Sequence, residues 1–150
     1  MSERLDYTKT SPGGVQALGG VYGYIMQCGL DPTLVELVYL RVSQLNGCAY
    51  CLDMHTRDLL KRGLRSEKLA LVQVWREARP LFSQQEQAAL AWAESVTLVA
   101  QTGVPDAEFV AASEIFSSKQ LADLTMAIGL MNAYNRLAIS FRRMPEAVRP

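Results

Sequence analysis

The chain has 150 residues, of which 49% are hydrophobic and 20% charged. That balance excludes disorder or low complexity as the main state and allows one domain that buries roughly 70% of its unfolded surface. Fifteen Lys and Arg are matched by fifteen Asp and Glu, so no basic excess exists to neutralise phosphates and nucleic acid is not an expected partner.

Glycine and proline punctuate the chain at intervals suited to helices, and no run alternates at period two, which predicts an all-α fold in a single domain of about six to seven helices. Residues 1–14 read as an extended N-terminal arm, 15–142 as the helical domain and 143–150 as a C-terminal tail, loose after Pro145. The first helix is predicted over 15–28, with Gly19, Gly20 and Gly23 weakening it or letting another backbone approach. Asp31-Pro32 opens a second that runs to Asn46, since Asp caps free N–H groups and Pro fits the first helical position; Asn46-Gly47 then breaks it. A third spans about Cys48 to Arg62, with Gly63 as its expected C-cap, and Ser66 caps a fourth that ends before Pro80. Ser83 with Glu86 forms a capping box for a fifth, reaching about Ala100. Pro105-Asp106 starts a short helix to about Phe116, and Ser117 or Ser118 caps a long last one through Leu121, Leu124, Ile128, Met131 and Leu137. Its apolar run, 124–134, carries Asn132 and is closed by Asn135 and Arg136, and is too short to span a membrane. The polar Met1 to Thr10 has no apolar leader segment, which points to the cytoplasm, where a close cysteine pair is better read as redox-active or metal-binding than as a structural disulfide.

That pair is Cys48-Ala49-Tyr50-Cys51, followed by the chain's one histidine, His55. On a helix, offsets of three and seven residues bring Cys48, Cys51 and His55 within about 60° of one another, so their side chains can converge. Cys48 sits at the predicted helix start, where free N–H groups and the helix dipole favour a thiolate. His55 lies one turn beyond Cys51, where a neutral imidazole can take a thiol proton. Glu36 is twelve residues before Cys48, about 18 Å away on one continuous helix, yet a reversal at Gly47 would bring it within about 4.5 Å of His55 along the axis. Glu36, His55 and Cys51 are thus a candidate relay in which a carboxylate orients an imidazole beside a nucleophile.

Spacing removes two alternatives. A c-type haem site needs His directly after the second Cys, where Leu52 stands, and a thioredoxin-type motif follows a strand, whereas a helix precedes this one. A zinc site on Cys48, Cys51 and His55 would need a fourth ligand from Glu36, Asp53 or Cys28. It stays open as an alternative, as does a non-catalytic redox sensor.

Glu36, eleven residues, Cys48-x-x-Cys51, three residues and His55 together resemble the active-site signature of the alkylhydroperoxidase D (AhpD)-like branch of the carboxymuconolactone decarboxylase family. Residues 40–47, Leu-Arg-Val-Ser-Gln-Leu-Asn-Gly, resemble that family's lead into the motif, and Asn132 with Asn135-Arg136 resembles its last helix; the likeness covers roughly residues 15–142. It implies a homo-oligomer, trimer or hexamer, and a thiol-dependent antioxidant enzyme that needs no metal or other cofactor and acts on a hydroperoxide or disulfide substrate. By the same likeness Cys51 attacks the peroxide, Cys48 resolves the sulfenic acid to a disulfide, and a thiol reductant restores both. Tyr50 stands where the best-characterised members carry a histidine; a phenol, with a reference pKa of about 10, donates a hydrogen bond but is a poor base at neutral pH.

The remaining polar and aromatic residues read as structural. Cys28 is expected as a packed thiol, Asp53 and Arg57 as an exposed i,i+4 ion pair, Asn132, Asn135 and Arg136 as interhelical hydrogen-bonding groups, and Tyr22, Tyr24, Trp75 and Trp92 as core or interface residues. A mean hydropathy of +0.04 for a chain of this size favours self-association.

Overall fold

The computed structural model describes residues 2–148, and among these there is no strand. Nine α-helical segments follow one another among the described residues: α1 (Tyr7–Thr10), α2 (Pro12–Ile25), α3 (Pro32–Asn46), α4 (Ala49–Lys61), α5 (Ser66–Leu71), α6 (Gln84–Thr97), α7 (Val99–Thr102), α8 (Asp106–Ser113) and α9 (Ser118–Phe141). Seven have six or more residues, in keeping with the all-α reading; α1 and α7 are single turns. No helix among the described residues is long and apolar enough to cross a membrane.

Most boundaries follow their local chemistry. The Asp31 side chain accepts from the Thr33 N–H at 2.9 Å, Pro32 takes the first turn of α3, and Gly47 ends it at φ +70°. Reciprocal capping boxes, Ser83 with Glu86 and Ser117 with Gln120, start α6 and α9.

Four expectations are corrected. The N-terminal arm is not extended: Asp6 caps the turn α1, and α2 begins at Pro12, because proline in a first helical turn lacks only an N–H that would have no partner there. Arg65, not Ser66, occupies the N-cap of α5, which gives way at Leu71 to a 3-10 turn over Val72–Val74. No other backbone among the described residues uses the room at the glycines of α2; a Cβ at Gly19, Gly20 or Gly23 would meet nothing within 4 Å. The tail is pinned through Val148: the carboxylate of Asp53 accepts the Glu146 and Ala147 N–H groups at 2.9 and 3.3 Å, and Arg57 bridges Asp53 and Glu146.

Helix α3 is the axle of the fold. Nine of its residues are buried, because it is apolar nearly all round and packs against α4, α6 and α9. One side, with Val35, Val38, Tyr39 and Val42, meets Ala89 and Trp92 of α6 and Leu124, Ile128 and Met131 of α9. The other, with Leu37 and Leu40, joins Leu59, Leu69, Val72, Trp75 and Leu90. Glu94 ties these layers together: it accepts from Arg41 Nε at 2.7 Å and Trp75 Nε1 at 2.9 Å, and pairs with Arg76. Tyr24 and Lys119 converge on the buried Asp123 at 2.9 and 2.6 Å and hold α2 to α9.

Burial raises the Glu94 pKa, but the Arg76, Trp75 and Arg41 donors outweigh it and hold the carboxyl below its usual range. A depressed folded-state pKa gives stability that is present above the ordinary carboxylate range and lost as pH falls through the folded value. Glu94→Ala is expected to cost about 3 kcal/mol in urea unfolding near neutral pH, with the difference from the parent shrinking in acid. Gly20→Ala, which puts a methyl into open space on a helix, is expected to raise the urea midpoint by the equivalent of about 0.5–1 kcal/mol.

Candidate active site

The site begins at the turn between α3 and α4. Gly47 adopts the left-handed conformation, the Cys48 N–H returns to the Ser43 carbonyl at 3.0 Å, and α4 folds back along α3. Side chains from α9 lock this turn. Asn46 Nδ2 donates to Asn132 and Asn135 at 3.0 and 2.9 Å, Asn135 Nδ2 donates to Ser43 Oγ at 3.0 Å, and Asn132 Nδ2 reaches Thr97 at 3.2 Å. Asn135 is fully buried and every contact of its amide is interhelical or to Met131, the structural role its sequence position suggested.

Cys48 is the N-cap of α4, and its sulfur accepts the Cys51 N–H at 3.4 Å. The two cysteines lie 5.4 Å apart at Cα with their sulfurs at bonding distance, as a disulfide. Cys28 is a free thiol whose Sγ–H donates to the Ile25 carbonyl at 3.1 Å. His55, one turn beyond Cys51, is 3% exposed, and Glu36, reaching in from α3, is 4% exposed. The reversal at Gly47 brings them together: His55 Nδ1 donates to Glu36 Oε2 at 2.8 Å. With Glu36 as a carboxylate the bond sets a ring proton on Nδ1, and in the neutral imidazole Nε2 then carries the lone pair. Nε2 is buried and has no hydrogen-bond partner among the described residues.

Glu36, Cys51, His55 and Tyr50 share the wall of a cavity of about 320 Å³. Its remaining lining is largely apolar and aromatic, with Tyr22, Met54, Met131 and Tyr134 prominent. Burial raises the pKa of Tyr7, Tyr22 and Tyr134, so these lining phenols stay protonated near neutral pH. Tyr22 is not a core residue: it lines this cavity while 40% exposed; Trp75 and Trp92 are core residues at 4% and 6%. Among the described residues no cluster of three or more Cys, His, Asp and Glu has the geometry of a metal site.

Two participants escaped the sequence reading. Tyr39, one turn after Glu36, stacks obliquely on the His55 ring with centroids 5.4 Å apart, and burial followed by the Glu36 charge pushes its pKa up. Its i+3 spacing from Glu36 was the available signal. Arg143 lines the cavity from beyond α9, its guanidinium 5.0 Å from the Tyr50 ring and 5.5 Å from Tyr7. No local pattern marks a residue that arrives from a tail.

The fold and this constellation define a helical protein with a buried Glu-His pair beside a Cys-x-x-Cys disulfide. The sequence model of the Carboxymuconolactone decarboxylase family matches residues 12–95, more than half of the chain and the whole of the motif, and the chain belongs to that family. It is 35% identical over 140 residues to the uncharacterized protein YdfG of Bacillus subtilis, covering 93% of this chain and 95% of YdfG. A shorter likeness, 44% identity over 46 residues, 31% of this chain and 24% of the other, links it to the alkyl hydroperoxide reductase AhpD of Koribacter versatilis. The crystal structure of ATU0492 from Agrobacterium tumefaciens, a protein of unknown function for which an AhpD role in antioxidant defence has been suggested, superposes with a TM-score of 0.92 at 38% identity, over 96% of this chain and 98% of that one.

The disulfide has a direct readout. Protein oxidised with diamide and denatured is expected to expose one titratable thiol, Cys28, and three after reduction; three before reduction would mean that the pair does not bond.

Proposed function

We propose that this chain is a thiol-dependent antioxidant enzyme, an alkylhydroperoxidase or disulfide reductase that cycles Cys48 and Cys51 between dithiol and disulfide. The observation that carries the reading is the His55 imidazole, held at Nδ1 by Glu36 and with Nε2 free beside the cavity that Cys51 lines. The likeness to AhpD proteins and the family membership support it.

In the proposed cycle His55 Nε2 takes the Cys51 thiol proton, and the thiolate attacks the terminal peroxide oxygen. The O–O bond breaks as the S–O bond forms; the departing alkoxide takes the proton from His55 and leaves as alcohol, with sulfur oxidised to sulfenic acid. Cys48, three residues away at the N-cap, displaces water from that sulfur and closes the disulfide. Two equivalents of an external thiol return the pair to dithiol and depart as their own disulfide. Glu36 acts through His55 as its positioning residue, and Tyr50 supports as a hydrogen-bond donor. The subunits work as a homo-oligomer, in the cytoplasm.

Cys51→Ser is expected to abolish consumption of cumene hydroperoxide in a coupled thiol assay, while the parent turns over many equivalents per subunit. A parent that stops near one equivalent would instead be a stoichiometric sensor. Glu36→Gln, which keeps the volume and loses the charge, is expected to lower kcat/KM about 10²-fold and to move the acidic limb of its pH profile; an unmoved limb would remove Glu36 from the relay.

A further inference from the structure

Two cavities meet the cysteine pair from different sides, and each takes one sulfur residue. The first is lined by Cys51 with Glu36 and His55, and Cys48 is not part of it. The second, about 470 Å³, is lined by Cys48 with Gly47 and Ala49, and neither Cys51 nor His55 belongs to it. Tyr50, Ala138 and Arg143 belong to both and form the partition between them.

The second cavity has a definite chemistry. Ile139, Met144, Pro145 and Val148 give it an apolar lining, and among the described residues its charged members are the cations Arg142 and Arg143. Neither arginine forms an ion pair among the described residues, whereas Arg57, close to the same tail, is occupied by Asp53 and Glu146. Arg142 is exposed and held in the left-handed conformation, φ +56°, as the C-cap of α9. The contacts from Asp53 that pin the Glu146 and Ala147 N–H groups hold the segment that carries Val148 to the cavity.

We infer that this second cavity is the entry for the thiol reductant, and that it selects a small thiol carrying an anionic group on an apolar body. The inference rests on the dithiol and disulfide cycling proposed above. Thiol–disulfide exchange requires the attacking sulfur to approach along the S–S axis, from behind the sulfur it attacks. From the second cavity that sulfur is Cys48. The reductant thiolate forms a bond to Cys48 Sγ, the Cys48–Cys51 bond breaks, and Cys51 leaves as a thiolate toward His55. A second reductant thiolate then attacks the reductant's sulfur in the mixed disulfide, releasing the external disulfide and the Cys48 thiolate, which takes a proton from solvent. Oxidant and reductant therefore use opposite sides of one bond, and a bound reductant does not displace the hydroperoxide.

The test uses the full chain oxidised with diamide, so that it does not depend on peroxide chemistry. Its reduction is followed with 3-mercaptopropionate, 2-mercaptoethanol and cysteamine, which are anionic, neutral and cationic thiols of similar size. Arg142→Glu is expected to slow 3-mercaptopropionate about five- to tenfold relative to 2-mercaptoethanol and to speed cysteamine, with the difference fading in high salt. An acid quench, which freezes exchange by protonating thiolates, followed by peptide mapping of the parent, is expected to place the first adduct on Cys48. An adduct on Cys51, or equal response of the three thiols to Arg142→Glu, overturns the inference; the kinetic comparison decides even where the adduct does not accumulate. Failure of thiols to reduce the diamide-formed pair at all would overturn the proposed function itself.

Discussion

The arrangement depends on one buried hydrogen bond, from His55 Nδ1 to Glu36 at 2.8 Å. A carboxylate and an imidazole that are 4% and 3% exposed lose most of their hydration, and their mutual attraction returns little more than that loss. Hydrophobic residues of the same volume would serve the packing of α3 against α4 as well or better. The pair is therefore poorly explained as a stabilising device and well explained as a preorganised one, since the bond fixes the tautomer and the ring plane. Everything that sets its length is structural: the left-handed Gly47, the return of the Cys48 N–H to Ser43, and the amides of Asn46, Asn132 and Asn135 that clamp the turn to α9.

The same turn gives the two cysteines unequal surroundings. Cys48, at the N-cap of α4, accepts the Cys51 N–H at the start of the helix. Cys51, inside the first turn, lines the aromatic cavity together with His55 and Glu36. In the proposed cycle this asymmetry gives Cys51, which shares its cavity with His55, the part of nucleophile and Cys48, at the N-cap, that of the resolving group. Cys28, with its thiol turned to the Ile25 carbonyl, has neither kind of environment.

Much of this was legible from spacing. Glu36, Cys48, Cys51 and His55 could be gathered on paper because helix periodicity and one glycine break determine a helical hairpin, and both are local features. The asparagines of α9 could be assigned to interhelical bonds because an amide inside an apolar run must find partners. What escaped depends on contacts between distant segments. Arg143 and Tyr7 meet at the cavity because Arg4 and the α1 turn pack against the end of α9, with the Arg4 N–H on the Phe141 carbonyl at 2.9 Å. The tail read as loose because nothing within it marks Asp53, some 90 positions earlier, as the acceptor of its backbone N–H groups. Pro12, Gly13 and Gly14 fell within the stretch read as an extended arm because such residues are poor in a helix interior, yet they occupy a first turn, where the usual penalty for proline does not apply.

Tyr50 sharpens the chemical consequence. It lies on the partition between the two cavities with the Arg143 guanidinium over its ring, so its phenol is placed to donate or to shape the passage. A histidine there would give the enclosure a second group able to carry a proton near neutral pH; a phenol does not. In the proposed cycle the proton removed from Cys51 and the proton delivered to the departing oxygen then pass through the same atom, His55 Nε2, in sequence. That requires Nε2 to reach both the sulfur and the peroxide oxygen without the ring turning, because rotation would break the Nδ1 bond to Glu36. The oblique stack of Tyr39 on the imidazole and the Glu36 bond both oppose that rotation, so in the proposed cycle proton transfer has to be achieved by the approach of the substrate and not by movement of the base.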